Sequence, residues 1–223
     1  MRSFLRNNGL SLVVSAMFLV FLLAQALTGA REYNEERREH GETPLRMADY
    51  LSSGHFIEAT AENWESEFLQ MAAYVLLTIG LYQRGSSESK RPGLREPVDQ
   101  DPRQVTGLAL KEAPWPVRRG GWVLRVYEHS LSLALLLLFL VSFVLHAVGG
   151  TRLHNAEQIQ HGGETLTLPE FLGTSQFWFE SFQNWQSEFL SLVGMIVFSI
   201  WLRQRGSPES KPVHAPHDDT GNH

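Results

Sequence analysis

Two stretches of the chain decide how its fold is read: NWESEFLQMAAYVLLTIGLYQRGSSESK at 63–90 and NWQSEFLSLVGMIVFSIWLRQRGSPESK at 184–211. They lie 121 positions apart and agree, without a gap, at 15 of 28 positions. Each begins with Asn-Trp-x-Ser-Glu-Phe, continues through an apolar run and closes on Gln-Arg-Gly-Ser before a short polar end. The chain is therefore interpreted as two copies of one unit, and one fold prediction has to serve both copies.

The apolar residues are gathered into blocks, although 43% hydrophobic residues and a net charge of −5 would suit an ordinary soluble protein. Residues 7–30 and 129–151 contain no Asp, Glu, Lys or Arg. These runs exceed the ~20 residues that a bilayer-spanning helix needs. The chain has no cysteine, which excludes disulfides and thiolate metal sites. It also lacks a strongly basic block of the kind that binds nucleic acid.

Shorter uncharged runs occupy 68–83 and 189–202, inside the doubled stretches. A Glu precedes each run and an Arg follows it, 17 positions later. At a rise of 1.5 Å per residue this separation is roughly 25 Å, close to the hydrocarbon thickness of a bilayer. The sequence therefore predicts four transmembrane helices, at about 10–30, 66–84, 127–150 and 187–204.

The predicted fold is an all-α integral membrane protein of two parallel two-helix repeats with helical outer loops, related by a pseudo-twofold axis along the membrane normal. Residues 1–90 form repeat 1, 91–121 a Pro/Arg-rich linker, 122–211 repeat 2 and 212–223 a disordered tail. The first helix has the basic start and small-residue end of a signal peptide. Its counterpart lies mid-chain, so we expect it to be retained. Thr167 and Glu170 fit a capping box, which predicts a short outer helix.

The distribution of Lys and Arg predicts the orientation. The N-terminus, the linker and the C-terminal segment carry 14 of these residues, and the two loops carry 5. The termini are therefore expected in the cytoplasm and the loops outside, where they hold 15 of the 24 acidic residues.

The segment NWESEFLQMAAYVLLT, with YNEERREHG and SGHFIEAT upstream of it, resembles a family of small bacterial membrane proteins known as a domain of unknown function. The resemblance covers nearly the whole chain. It implies a bacterial source and a membrane location, and we place the chain in the inner membrane. It brings no catalytic residue with it.

Polar residues of the doubled motif share one helix face by their spacing. In one interpretation the two later glutamates form a carboxylate pair at the outer mouth of the bundle and hold a cation. In the other, these residues mark the membrane interface and hydrogen-bond neighbouring loops. The motif residues singled out are Asn63, Trp64, Glu67, Asn184, Trp185 and Glu188.

Histidines suggest two further sites. His154, Glu157 and His161 are spaced i, i+3, i+7, so one helix face could offer two imidazoles and a carboxylate to a divalent metal, although a solvated face is the simpler interpretation. His146 lies within an apolar run, and a polar side chain at membrane depth usually faces the bundle or a water path.

No catalytic motif is present, and no cofactor is expected. The sequence favours a non-enzymatic membrane protein with a structural or interaction role carried by its acidic outer loops. The alternative is a small channel or transporter with a site lined by Glu67 and Glu188. The bilayer is the predicted partner. Small residues such as Ala72 and Gly194 indicate close helix packing within the chain or in a homo-oligomer. A bound ion or small molecule is left open.

Overall fold

The computed structural model describes residues 2–221, and no strand occurs among them. The all-α prediction is confirmed. Short 3-10 helices occupy Pro97–Asp99 and Pro102–Gln104. The α-helices are α1 Arg2–Asn7, α2 Gly9–Glu39, α3 Met47–Tyr50, α4 Gly54–Leu77, α5 Gly107–Glu112, α6 Trp115–Arg119, α7 Gly121–Glu128, α8 Ser130–His161, α9 Leu168–Leu172 and α10 Ser175–Trp201.

The chain divides into two compact units that do not coincide with the two sequence copies. The first unit contains Met1–Glu62 and Phe143–Trp178, and the second contains Asn63–Ser142 and Phe179–His223. We describe the packing of each unit separately.

Among the described residues, two helices are long and apolar enough to cross a membrane, against the four expected. They are α2, with 31 residues, and α8, with 32. Each extends past its predicted end, because the charged segments at 31–39 and 152–161 continue the helix without a break. The spans predicted at about 10–30 and 127–150 therefore lie largely within α2 and α8, whose helical structure continues beyond the apolar runs.

The other two predicted spans differ from α4 and α10 at both ends. Each helix begins about twelve residues earlier than predicted, because the polar and aromatic segment before the doubled motif is helical too. Each also ends before the predicted Arg, at Leu77 and at Trp201. The uncharged part of each helix is therefore short, and acidic residues occupy its first half. The polar first half of each helix lowers its mean hydropathy, so neither α4 nor α10 has the composition of a membrane-spanning helix.

In the first unit, α4 crosses α8 with backbone against backbone. A Cβ atom added to Gly149 would lie 2.5 Å from the backbone nitrogen of Glu58. One added to Gly54 would lie 2.6 Å from the backbone nitrogen of Leu153. Glycine is the residue that permits such an approach, as it does between membrane helices. These two glycines fix where the first turn of α4 rests on α8.

The loops that follow α2 and α8 are held by the same hydrogen bonds. Asn34 accepts a hydrogen bond from the Leu45 backbone nitrogen at 2.6 Å and donates one to its carbonyl at 3.0 Å. Asn155 makes the same two bonds to Leu166, at 2.7 and 2.8 Å. The second pair lies 121 positions after the first. One asparagine therefore closes each loop by pairing with both backbone groups of a residue eleven positions later.

Aromatic side chains fill the space under these loops. Tyr33 and Tyr50 are buried in one cluster, and Phe171 and Phe177 in the other. His55 stacks on Tyr33 with ring centroids 4.8 Å apart. Burial lowers the pKa of His55, against the opposing effect of the nearby Glu32 and Glu36 carboxylates.

The predicted capping box at the start of α9 is present. The Glu170 carboxylate accepts hydrogen bonds of 2.7 Å from both the hydroxyl and the backbone nitrogen of Thr167. These two donors lower the pKa of Glu170, because they stabilise its ionised form.

The C-terminal ends of α2 and α8 lie side by side. The His40 and His161 rings are 5.9 Å apart, edge to face. Gln160 donates a hydrogen bond of 2.9 Å to Glu42, just after α2. The two long helices therefore end together on one side of the first unit.

In the second unit, residues 212–221, which we expected to be a disordered tail, form turns that are tied to the segment after α4. The buried Lys211 ammonium donates to four backbone carbonyls, including those of Gly85 and Asp219. Gly85 in turn donates a hydrogen bond of 2.9 Å to the Thr220 hydroxyl. These bonds hold the C-terminal segment and the loop at 85–90 together.

We predict that Gly149→Ala destabilises the protein by about 1–3 kcal/mol, since the added methyl meets backbone atoms that cannot move aside. The matched control is Gly194→Ala in α10, where the new Cβ would meet only the Phe198 ring at an ordinary 3.8 Å. Thermal unfolding in detergent provides the comparison. Equal melting temperatures for the two variants would contradict the close crossing.

Candidate functional site

The residues of the doubled motif lie on α4 and α10, and the structure brings several of them together in the second unit. Trp185 of the second copy donates an indole hydrogen bond of 2.9 Å to the Glu65 carboxylate of the first. Glu65 is fully buried. Its counterpart at the same motif position is Gln186, which is exposed. The two copies therefore use this position differently.

Glu65 was not singled out from the sequence. Its signal lies in the register of α4, where Ala61, Glu65 and Ala72 fall at i, i+4 and i+11 on one face and are all buried. Two small residues on the face of a glutamate indicate close packing at that face. A buried carboxylate needs hydrogen-bond donors, and the Trp185 indole supplies one.

Glu67 and Glu188 lie close enough for the Glu67 carboxyl to act electrostatically on Glu188. Glu188 is half-buried and Glu67 is exposed. Two carboxylates at short range repel each other, and a cation held between them would offset that repulsion. Cation binding by this pair stays a hypothesis.

A neighbouring bond joins the same two helices one turn further along. Gln70 donates to the Glu188 carbonyl at 2.9 Å and to the Ser191 hydroxyl at 3.0 Å. Gln70 and Ser191 are 121 positions apart, as are Glu67 and Glu188. Equivalent positions of the two copies therefore contact each other directly.

The structure places the other motif residues on the same helices. Asn63 and Trp64 lie on α4, exposed and half-buried respectively. The Asn184 side chain donates to the Glu180 carbonyl of its own helix at 3.2 Å.

His146 is fully buried in the first unit. Its ring lies against the ring of Phe177, with centroids 4.7 Å apart. A side-chain oxygen of Glu58 lies within 4.8 Å of an imidazole nitrogen. Glu58 was not selected from the sequence. It reaches His146 because α4 rests on α8 at Gly149, one turn after the histidine. A buried carboxylate beside an imidazole can hold a proton or contribute two ligands to a metal ion.

A protein family described as a domain of unknown function (DUF6766) matches residues 1–222. The chain belongs to this family. No similar protein was found among curated proteins, and none among solved structures.

Each of the two histidines of the predicted metal site in this DUF6766 chain has its own hydrogen-bonding partner. The His154 ring nitrogen Nδ1 lies 3.1 Å from the Gln176 side-chain oxygen. The corresponding nitrogen of His161 lies 2.8 Å from the carbonyl of Glu157. Within residues 2–221, His154, Glu157 and His161 do not group at metal-ligand distances. The i, i+3, i+7 spacing put them on one face but could not bring their ligand atoms to one point.

We predict that Trp185→Phe destabilises the protein by about 1–3 kcal/mol, because it removes a donor to a buried carboxylate while keeping an aromatic ring. Trp122→Phe serves as the control, since that side chain is 74% exposed. Thermal unfolding in detergent measures both. The bond has no structural importance if the two variants melt together.

Proposed function

We propose that the chain is a multi-pass protein of a bacterial inner membrane, without enzymatic activity, whose acidic outer loops carry a structural or interaction role. The observation that supports membrane embedding is that the apolar residues of the two long helices are mostly exposed. In the apolar windows of α2 and α8 only 6% and 28% of the residues are buried. The core helix of a soluble protein would bury most of such a window. Lipid is the environment that suits these exposed apolar faces.

The buried side chains support the same proposal. Glu58 and His146 are buried in the first unit, and Glu65 and Gln70 in the second. A membrane-embedded bundle turns polar residues inward, where they find hydrogen-bond partners that hydrocarbon does not offer. These inward residues also lower the mean hydropathy of α4 below that of a helix whose faces are all apolar.

The position of the helix ends favours four membrane crossings rather than two. The C-terminal ends of α2 and α8 lie together, so two membrane-spanning helices at these positions run in the same direction. The chain between two parallel crossings has to return through the membrane. The returning segment is α4 with the apolar residues that follow it, and α10 takes the same part after α8. The exposed apolar side chains at Ile79, Leu81 and Tyr82 suit this extension beyond α4.

Contacts between equivalent positions support two parallel repeats. Residues related by a twofold axis meet their own counterparts only beside that axis. Glu67 with Glu188, and Gln70 with Ser191, are pairs of this kind. With the excess of Lys and Arg at the termini and linker, the parallel arrangement puts the loops after α2 and α8 outside the cell.

Labelling of single cysteines tests the topology, and the natural chain has no cysteine that would interfere. We expect Ser52→Cys and Thr165→Cys to react with a membrane-impermeant maleimide in intact spheroplasts. Thr106→Cys and His214→Cys should react only after permeabilisation. All four positions are exposed, so accessibility reports the side of the membrane. Labelling of Thr106→Cys from outside would exclude the four-crossing arrangement.

The second candidate function is a small channel or transporter. The observation that favours it is the proximity of Glu67 and Glu188, because two neighbouring carboxylates can hold a cation between them. Such a site at the motif would serve as the entry of a path between the repeats.

Flux into proteoliposomes tests the second candidate. We expect flux of protons or monovalent cations that falls to background in Glu67→Gln and Glu188→Gln, because neither amide carries the negative charge that would hold a cation. Glu164→Gln, in an exposed loop position, should keep the wild-type flux. Absence of flux with correctly inserted wild-type protein would leave only the non-transporting function.

A further inference from the structure

The second unit also contains a groove. It has a volume of about 250 Å³ and lies between the second halves of α4 and α10 and the loop at 81–89. Its walls are mostly apolar, with side chains such as Leu77, Phe189 and Ile196. We propose that this groove binds an organic cation with an apolar body and a single ammonium head.

One side of the groove carries a negative charge. Glu88 is its acidic side chain, and none of its lining residues is basic. The Tyr74 hydroxyl lies 3.1 Å from one Glu88 carboxylate oxygen and 3.3 Å from the Glu88 carbonyl oxygen. The Ser87 hydroxyl lies 3.2 Å from the other carboxylate oxygen and 3.1 Å from the Glu209 carbonyl oxygen. Each carboxylate oxygen therefore has a hydroxyl within hydrogen-bonding distance.

The basic residue nearest to Glu88 in sequence has another partner. Lys90 follows Glu88 by two positions, and its ammonium lies 2.7 Å from an Asp99 oxygen. Lys90 does not line this groove. Tyr74 and Tyr82 also line the groove, and aromatic faces attract quaternary ammonium groups.

The backbone around Glu88 is held in place. The Ser86 hydroxyl accepts a hydrogen bond of 3.1 Å from the Glu88 backbone nitrogen and lies 2.8 Å from the hydroxyl of Ser199 on α10. Gly221 donates a hydrogen bond of 3.0 Å to the Ser86 carbonyl. The carboxylate is therefore fixed at the edge of the groove before any ligand arrives, which lowers the ordering cost of binding.

The combination of apolar walls and one fixed carboxylate selects the ligand class. An anion would meet Glu88 with repulsion. A neutral apolar molecule would fill the walls and gain nothing from the charge. A cation with an apolar body satisfies both features, and its ammonium gains more where water is displaced by the groove walls. All the contacts that support this ligand class lie within the second unit, and none of them requires a particular membrane orientation.

An isosteric ligand pair provides the test. Phenyltrimethylammonium and tert-butylbenzene have the same shape and differ by one positive charge. Binding of each to purified full-length protein in detergent is measured by equilibrium dialysis. We expect the cation to bind about tenfold more tightly than the neutral isostere, and Glu88→Gln to remove that difference.

Two variants control the experiment. Glu164→Gln removes an exposed carboxylate that does not line the groove, so it should leave both affinities unchanged. Leu192→Trp fills the groove and should weaken both ligands. Equal binding of the two ligands to the wild-type protein, or a cation affinity that Glu88→Gln leaves intact, would overturn the proposal. A melting temperature for each variant separates loss of binding from loss of fold.

Discussion

The close approach of α4 to α8 is the contact on which the first unit depends. It requires glycine on both helices, because at Gly54 and at Gly149 a methyl group would overlap the opposite backbone. With the helices at this distance, a side-chain oxygen of Glu58 lies beside Gly150 of α8 and within 4.8 Å of a His146 ring nitrogen. A packing constraint between two backbones therefore decides which polar groups become neighbours. The buried carboxylate and imidazole are a consequence of that constraint.

Much of the fold follows from patterns in the sequence, and the departures have identifiable causes. The long apolar runs predict α2 and α8 directly, because a run of that length supplies apolar residues at every turn of a helix that crosses a bilayer. The first residues of α4 and α10 differ from the prediction, because the predicted spans followed hydropathy and left out the aromatic and acidic residues before Asn63 and Asn184. They continue the helix, and backbone hydrogen bonding does not stop where hydropathy changes.

The site was predicted less completely than the fold. Spacing along one helix put Glu67 and Glu188 on corresponding faces, and the two lie close enough to interact electrostatically. Spacing could not identify Glu65 or Glu58, since their importance comes from another helix at close range. The same limit applies to His154 and His161, which share a face yet face different partners. A pattern within one element predicts which way side chains point, but only the packing of elements decides what they meet.

Direct contact between counterparts, such as Gln70 and Ser191, has a consequence for how the chain can change. In a symmetric dimer of single repeats, the residue beside the axis would face an identical residue, so every substitution there would be made twice. Joining two copies in one polypeptide removes that restriction. A glutamine can then donate to a serine, and a buried glutamate can face a tryptophan, where two identical residues would repel or leave a group unsatisfied. Two similar stretches of one chain can thus carry different residues at the positions where they meet.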